Sequence, residues 1–194
     1  MDKPIDLKNI RIITVSGRIA SGSTTLAKKL AHVLQWKHIE GGEIIWEASR
    51  IDKLGASPKD TNKRPDNIDF LFDKFLKKIL KTQKHIIVET KLAGFNAQKV
   101  KGVFKILVVC DDEKKSDQAQ IRIDRLVNRE AMSVEAAKEE ILQREKNDLE
   151  KWRRLYENNN PSWRYWDKKY YDLVINTFDH NAKESLNIAL KNIT

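Results

Sequence analysis

A loop bounded by two glycines, set between an apolar strand and an amphipathic helix, constrains the fold of this chain most strongly. Residues 10–16 predict the strand, and a helix is predicted over 24–35. The segment 17–25 between them reads Gly-Arg-Ile-Ala-Ser-Gly-Ser-Thr-Thr. Glycines let backbone N–H groups converge, and the first turn of a helix adds positive potential. The spacing therefore predicts a cradle for the phosphate groups of a nucleotide.

This loop lacks the lysine of an ordinary P-loop. Such a loop carries Lys directly after its second glycine, followed by a Ser or Thr whose hydroxyl binds Mg²⁺. Here Ser23 takes the lysine position, and Thr24 keeps the position of the hydroxyl. We predict that the loop still binds nucleotide, with its charge supplied from elsewhere in the chain.

Strands and helices alternate along the rest of the sequence. Further strands are predicted over 38–40, 85–88, 104–110 and 172–176, and further helices over 43–53, 68–83, 117–130, 133–156 and 183–191. Ser133 is expected to cap its helix, and residues 55–66 form a polar loop. This alternation predicts an α/β fold, a parallel sheet with helices on both faces. Without repeats or low-complexity segments, residues 1–194 are expected to form one domain.

The positive charge is concentrated in the first part of the chain. Lys and Arg number 37 against 28 Asp and Glu, a net charge of +9. Residues 1–110 carry 21 basic and 11 acidic side chains, and residues 111–194 carry 16 and 17. Anionic partners are therefore expected, but charge alone does not distinguish nucleotides from nucleic acid.

Cysteine content and hydropathy indicate a soluble, cytoplasmic protein. Cys110, the single cysteine, ends an apolar run and is expected to be buried in a strand. We see neither a signal-peptide core nor a membrane-spanning stretch. The histidines are scattered, and no His/Cys cluster has metal-ligand spacing.

An arginine series follows the fourth predicted strand. Arg122, Arg125 and Arg129 share one helix face by their spacing, and Arg144, Arg153 and Arg154 follow. Phosphoryl transfer needs positive groups around the transferred oxygens, which such arginines can supply. The alternative is an ordinary solvated face; after a phosphate-binding loop, we favour the functional interpretation.

Glu89 and Lys91 come directly after a buried strand. Ligands of open α/β sheets bind at the carboxyl ends of the strands, so both side chains are expected at the site. Glu89 would hold a Mg²⁺-bound water or the substrate, and Lys91 a monophosphate. The alternative is a loop with a charge pair. Trp163 and Trp166 either stack on a base or pack a loop onto the core.

Taken in order, these motifs resemble those of the short nucleoside monophosphate kinases, most closely the compact archaeal-type cytidylate kinases. The resemblance covers roughly residues 10–190. Beside the loop, it rests on Gly41-Gly42-Glu-Ile-Ile, Glu89-Thr-Lys-Leu-Ala-Gly-Phe, Arg125-Leu-Val-Asn-Arg129-Glu130 with Arg144-Glu145, and Tyr171-Asp-Leu-Val-Ile-Asn-Thr177. The family favours Glu-Gly-Arg-Leu-Ala-Gly-Trp at the second of these.

The resemblance implies a P-loop kinase that transfers the γ-phosphoryl group of ATP to CMP or dCMP with Mg²⁺. It implies a core over 10–115 and 165–194, a small helical lid over about 116–160 and an acceptor-binding part over about 41–84. ATP would bind to Gly17, Arg18, Ile19, Ala20, Ser21, Gly22, Ser23, Thr24 and Thr25, with Mg²⁺ on Thr24. The catalytic arginines would be Arg125, Arg129, Arg144 and Arg153, and the acceptor residues Gly42, Arg50, Asp69, Glu89, Lys91 and Gly94.

Three departures from the family pattern lie next to phosphate positions. Ser23 replaces lysine, Lys91 replaces arginine, and Trp46 stands where an arginine is usual; Arg50, one helical turn later, is the candidate replacement. They keep two alternatives open: a non-catalytic nucleotide- or RNA-binding protein on a kinase fold, and a P-loop kinase for a different small acceptor. A monomer is expected.

Overall fold

A parallel sheet of five strands forms the centre of the fold. The computed structural model describes residues 3–51, 64–114 and 116–194, so most of the predicted loop 55–66 lies outside the described residues. The strands are β1 (Ile12–Gly17), β2 (Lys37–Glu40), β3 (Ile86–Glu89), β4 (Val103–Val109) and β5 (Leu173–Asn176). Their order in the sheet is β2-β3-β1-β4-β5, and every pairing is parallel. The predicted parallel sheet is confirmed.

Eight α-helices connect or follow these strands in the described part of the chain. They are α1 (Ser23–Leu34), α2 (Gly41–Ile51), α3 (Asp66–Thr82), α4 (Ala93–Asn96), α5 (Ala119–Glu130), α6 (Val134–Lys138), α7 (Glu145–Tyr156) and α8 (Ala182–Ile193). The sequence did not predict α4 or a 3₁₀ turn at Lys168–Tyr170, since both are too short to show a periodic pattern. No helix in the described residues is long and apolar enough to cross a membrane.

Helices cover both faces of the sheet, as the alternation predicts. On one face α1 and α8 pack against the sheet, with Leu30 and Ala189 buried against Ile13 and Val108. On the other, α3 packs through Phe72, Leu76 and Leu80 against residues of β1 and β3. Burial on both faces explains why the strands read as continuous apolar runs.

The long helix predicted over 133–156 forms with an irregular middle. Ser133 caps it as predicted, because its side chain accepts a hydrogen bond from the Ala136 backbone N–H at 3.1 Å. Between α6 and α7 the chain takes a π-helical turn over Glu139–Arg144. Such turns are frequent at functional sites, and this one ends at a predicted catalytic arginine, Arg144.

The carboxyl ends of β1, β2 and β3 meet at one edge of the sheet. Glu89 is in register with both Val15 and Glu40. Directly beyond β1 the chain turns sharply, and a Cβ on Gly17 would overlap Ser21 Oγ and come within 2.8 Å of the Val108 carbonyl oxygen. Gly22 has a φ of +105°, which favours glycine. The loop 17–25 is therefore set at this edge beside Glu89.

Gly94 is required for packing. A Cβ at this position would overlap the ring of Tyr171, and the Gly94 backbone N–H donates to Ser16 Oγ at 3.1 Å in the interior. Tyr171 in turn donates its hydroxyl to the Tyr165 carbonyl oxygen at 2.6 Å. The structure thus accounts for this glycine by its contacts in the core, whereas the sequence placed it at the acceptor.

Candidate active site

A small cavity lies over the glycine loop. It measures about 170 Å³ and is lined by loop residues 17–20 and 22–24, together with three side chains from elsewhere: Glu89, Lys91 and Arg129. Gly22 ends the loop, so the first backbone N–H groups of α1 are open to this cavity. Three of its lining residues are cationic: Arg18, Lys91 and Arg129. This is the arrangement expected for binding phosphate groups.

Glu89 is the acidic centre of this cavity. Its Oε1 accepts hydrogen bonds from Ser23 Oγ at 3.0 Å and from Thr24 Oγ1 at 3.1 Å. Burial raises the pKa of the Glu89 carboxyl, and the two hydroxyls oppose this shift. In the described residues Glu89 has no ion-pair partner, so a cation bound beside its carboxylate would be stabilised.

Lys91 faces the same cavity from the loop after β3. Its Nζ binds Asp148 Oδ2 at 2.6 Å and lies 5.8 Å from the centre of the Trp152 ring. Burial lowers the pKa of the Lys91 ammonium; Asp148 raises it, and Arg144 lowers it further. Lys91 is therefore a partly buried cation held in place by Asp148 of α7.

His38, Glu40 and Glu89 form a further group at this edge. One ligand atom from each lies within 4.8 Å of the others. Burial lowers the pKa of the His38 imidazole, and the nearby Glu40 carboxylate opposes this. The spacing of histidines and cysteines along the chain could not reveal the group, because its members lie on two different strands.

A larger cavity of about 820 Å³ lies on the far side of the loop. It is bordered by Thr25, Arg125, Phe178 and His180, among others. Arg125 is fixed there by two hydrogen bonds, from Nη1 to Thr177 Oγ1 at 2.9 Å and from Nη2 to the Thr177 carbonyl oxygen at 2.7 Å. Thr177 also donates to the Ser21 carbonyl oxygen at 2.7 Å. These bonds connect the predicted arginine to the phosphate-binding loop.

The other predicted arginines lie in different surroundings. Arg129 lines the phosphate cavity and is paired with Glu130 at 2.8 Å. Arg144 forms an ion pair with Glu140, and its charge acts on Lys91. Arg153 donates to the Trp163 carbonyl oxygen at 3.0 Å and borders a third cavity. The structure brings Arg129 to the loop and does not bring Arg153 there.

Two of the predicted acceptor residues face solvent or open space. Arg50 pairs with Glu47 at 2.8 Å and lies 5.6 Å from the centre of the Trp46 ring, which is 63% exposed. A Cβ on Gly42 would have no neighbouring atom within 4 Å. The guanidinium of Arg50 is thus held on the exposed side of α2, away from the phosphate cavity.

Asp69 belongs to a buried charged cluster between α3 and α7. Its Oδ1 binds Arg64 at 2.6 Å, and its Oδ2 lies 2.8 Å from Lys151 Nζ. Lys151 is only 5% exposed and also donates to the Arg64 carbonyl oxygen at 2.7 Å. Sequence reasoning missed Lys151 and Arg64. The signal for Lys151 was its place two helical turns after Arg144, on the same helix face.

Arg122 and Glu145 connect the loop to both helices of the hairpin formed by α5 and α7. Arg122 is fully buried; its Nη1 lies 3.0 Å from Glu145 Oε1 and its Nη2 2.8 Å from Asp117 Oδ2. Arg18 binds the same two carboxylates, at 2.8 Å and 3.0 Å. Glu145 Oε1 further accepts from the Ile19 backbone N–H at 2.7 Å. One carboxylate thus holds the loop, α5 and α7 together.

Replacing Glu145 by glutamine is expected to lower the free energy of unfolding. The amide keeps the shape but leaves the buried Arg122 with Asp117 as its remaining counter-charge, which costs about 2–3 kcal/mol. Urea unfolding of Glu145→Gln measures the loss. Glu150→Gln, at an exposed position of the same helix, is the control and should change stability by less than about 0.5 kcal/mol. Equal stability of the two variants would contradict the role given to Glu145.

The sequence and the fold were compared with those of known proteins. No protein-family model matches the chain. It is 30% identical to the cytidylate kinase of Haloarcula marismortui, over 92% of this chain and 87% of that protein. It is 31% identical to the cytidylate kinase of Natronomonas pharaonis, over 86% of this chain and 80% of that protein. The fold is that of a shikimate kinase from Bacteroides thetaiotaomicron, at a TM-score of 0.58 and 14% identity, covering 93% of this chain and 97% of that one. The chain belongs to the cytidylate kinase family.

Proposed function

We propose that this chain transfers the γ-phosphoryl group of ATP to CMP or dCMP. The observation that supports this most is the phosphate cavity, where Thr24, Glu89, Lys91 and Arg129 converge on the loop. Phosphoryl transfer requires donor and acceptor oxygens to be held in line among positive groups. We propose that the phosphate cavity is this place, with the donor in the 820 Å³ cavity on one side and the acceptor near the cluster around Asp69 on the other.

The 820 Å³ cavity is the proposed site for the adenosine of ATP. Arg125 and Phe178 border it, and Phe178 is 42% exposed, so a planar guanidinium and an aromatic ring are both available to a base. Thr177 fixes Arg125 through two hydrogen bonds, which keeps the guanidinium in one orientation. From there the phosphates would extend over the first turn of α1 into the smaller cavity.

Three cations and the backbone share the role that one lysine has in an ordinary P-loop. Arg18, Lys91 and Arg129 line the phosphate cavity, and the N–H groups of the first turn of α1 are open to it. Ser23, in the lysine position, donates its hydroxyl to Glu89 instead of meeting phosphate as a charge. We therefore propose that the loop works without its lysine.

The residues present fit a Mg²⁺ ion. Glu89 is a partly buried carboxylate with a raised pKa, and in the described residues it lacks an ion-pair partner. Thr24 Oγ1 lies 3.1 Å from Glu89 Oε1, so a hydroxyl and a carboxylate oxygen, both suitable ligands for Mg²⁺, lie together. We propose that Thr24 and Glu89 hold the ion, directly or through its waters. When bound, Mg²⁺ offsets the charge on the β- and γ-phosphate oxygens of ATP.

The acceptor is proposed to lie between α3, α7 and the loop after β3. Lys91 and Lys151 supply positive charge there, and Asp69 and Asp73 are buried carboxylates. Asp73 Oδ1 accepts a hydrogen bond from Asn96 Nδ2 at 3.2 Å, and burial raises the pKa of its carboxyl. Cytosine carries an amino group that a carboxylate can accept from, whereas uracil carries a carbonyl oxygen at that position. This supports a cytidine acceptor.

A panel of acceptors tests the proposal directly. ATP consumption is measured with CMP, dCMP, UMP, AMP and GMP at equal concentrations. We expect kcat/KM for CMP and dCMP to exceed the values for the other three by at least about tenfold, because each mispaired buried carboxylate costs one to a few kcal/mol. Turnover with another acceptor alone would identify a kinase for a different substrate. ATP binding without turnover would support a non-catalytic protein, whose affinity for RNA would fall steeply with salt.

Glu89→Gln is expected to slow turnover strongly and to stabilise the fold. Because burial raises the pKa of Glu89, its ionised form is disfavoured in the folded chain, and stability decreases as pH rises through that pKa. The amide still accepts from Ser23 and Thr24 but carries no charge. We expect a gain of about 1 kcal/mol at neutral pH and a loss of kcat by about 10²-fold or more.

Urea unfolding and steady-state rates across pH measure both effects. In the wild type, kcat/KM should decrease on the acid side at a higher pH than for an ordinary glutamate, as Glu89 becomes protonated. Glu113→Gln, which removes an exposed carboxylate, is the control and should match the wild type. A Glu89→Gln variant with unchanged kcat would remove Glu89 from the proposed site.

Ser23→Lys restores the residue of an ordinary P-loop. We expect kcat to decrease by about tenfold or more, since the new ammonium would pair with Glu89 and occupy the place proposed for Mg²⁺. Ser23→Thr keeps the hydroxyl and should retain most of the activity. A large gain in kcat for Ser23→Lys would indicate that Arg18, Lys91 and Arg129 do not replace the missing charge.

A cytoplasmic location, a monomer and the division into core, lid and acceptor-binding part stay predictions from the sequence.

A further inference from the structure

A third cavity, of about 870 Å³, lies behind the phosphate-binding loop. One wall is formed by the π-helical turn and α7, and the other by the segment 162–168 that precedes β5. Residues that border it include Arg18, Lys146, Leu149, Arg164, Trp166 and Lys168. None of the residues proposed above for the adenosine or the acceptor borders it. Trp163, the other tryptophan of this segment, is buried and packs edge-on against Phe95, with ring centres 5.2 Å apart.

The charged groups of this cavity leave an excess of positive charge. Its carboxylates are matched: Asp117 and Glu145 by Arg18 and Arg122, Asp167 by Lys169 at 3.1 Å, and Asp111 by Lys168 at 4.0 Å. By contrast, the side chains of Lys146 and Arg164 make no ion pair or hydrogen bond within the described residues, and both are exposed. The ligand that fits is therefore an anion.

The cavity also has a flat apolar wall. Trp166 borders it, with the Arg18 guanidinium 4.7 Å from the centre of its ring. Leu142 and Leu149 border the opposite side, and Leu142 is 54% exposed. An aromatic ring beside exposed cations is the combination that binds a base together with its phosphate groups.

We infer that this cavity is a second nucleotide site, where Trp166 and Leu142 contact the base and Lys146 and Arg164 bind phosphate. Arg18 relates it to the proposed active site, because its side chain borders both this cavity and the phosphate cavity. A phosphate group here competes with Glu145 and Asp117 for Arg18. Since Glu145 also holds the Ile19 N–H, occupancy alters the phosphate-binding loop and regulates the enzyme.

Calorimetric titration of the full chain tests the second site. The proposed active site is first saturated with a bisubstrate analogue, adenosine and cytidine joined by five phosphates, and CTP is then added. We expect a second binding event with one CTP per chain. Arg164→Ser should weaken it by about tenfold or more through loss of a charge-assisted contact. Lys81→Ser removes an exposed cation of α3 that does not border the cavity, and should leave the event unchanged.

Two further arms test the ligand class and the fold. Trp166→Leu should weaken binding of CTP but not of tripolyphosphate. If Arg164→Ser is unfolded, Lys146→Ser, at an exposed position of α7, takes its place in the test. Absence of a second event in the wild type, or unchanged affinity in Arg164→Ser, would overturn the inference. Equal affinity for tripolyphosphate and CTP would overturn its nucleotide assignment.

The same titration separates this inference from the proposed function. If the bisubstrate analogue itself does not bind, the acceptor assignment fails. The second site is then tested with the ATP site blocked by a non-hydrolysable ATP analogue alone, so its outcome does not depend on the acceptor.

Discussion

The carboxylate of Glu145 is the contact on which the arrangement of the proposed active site depends. It binds a fully buried arginine, an arginine of the phosphate-binding loop and a backbone N–H of that loop. A glycine-flanked loop has many conformations available to it, and fixing one costs conformational entropy. By attaching this loop to α5 and α7, Glu145 sets where the loop lies relative to Arg129 of α5 and to Lys91, which Asp148 of α7 holds. Arg125 and Thr177 secure the other side of the loop in the same way.

The missing lysine changes how charge is distributed at the proposed active site. An ordinary P-loop depends on one lysine of the loop, whereas here Arg18 of the loop is joined by Lys91, from the loop after β3, and by Arg129 of α5. Their placement depends on tertiary structure, so the electrostatics of the loop are coupled to the packing of the hairpin. Glu89 is the acidic group among these cations, and in the described residues it has no ion-pair partner. Removing its carboxylate from water without such a partner lowers the stability of the fold, a cost that proteins retain at functional sites.

Sequence reasoning succeeded where local pattern decides structure. The strands, the long helices and the Ser133 cap follow from hydropathy periods and from capping chemistry, and the structure confirms them. The loop, Glu89 and Lys91 were also brought together as expected, because the carboxyl ends of parallel strands share one edge. What sequence could not predict was the direction of side chains on helices whose partners are distant in sequence. Arg50 and Arg153 were chosen for their charge and lie away from the phosphate cavity.

Helix geometry explains the difference between Arg153 and Lys151. Arg144, Asp148 and Lys151 are separated by four and three residues, so they share the face of the helix that packs toward Lys91 and Asp69. Arg153 lies off that face and reaches the segment that precedes β5. The type of charge alone favours Arg153 as a site residue, whereas the helical spacing from Arg144 favours Lys151.

The ion pair between Lys91 and Asp148 explains how a lysine can bind phosphate at a position where the family favours arginine. A lone buried ammonium loses its proton readily, but Asp148 opposes the effect of burial and keeps Lys91 in one position. A phosphate that enters the cavity must compete with this carboxylate for the ammonium. An anion with two charges competes better than one with a single charge, since Coulomb energy scales with charge. The pair therefore favours a phosphate monoester dianion over singly charged anions, a selectivity that arginine would achieve through its paired donors instead.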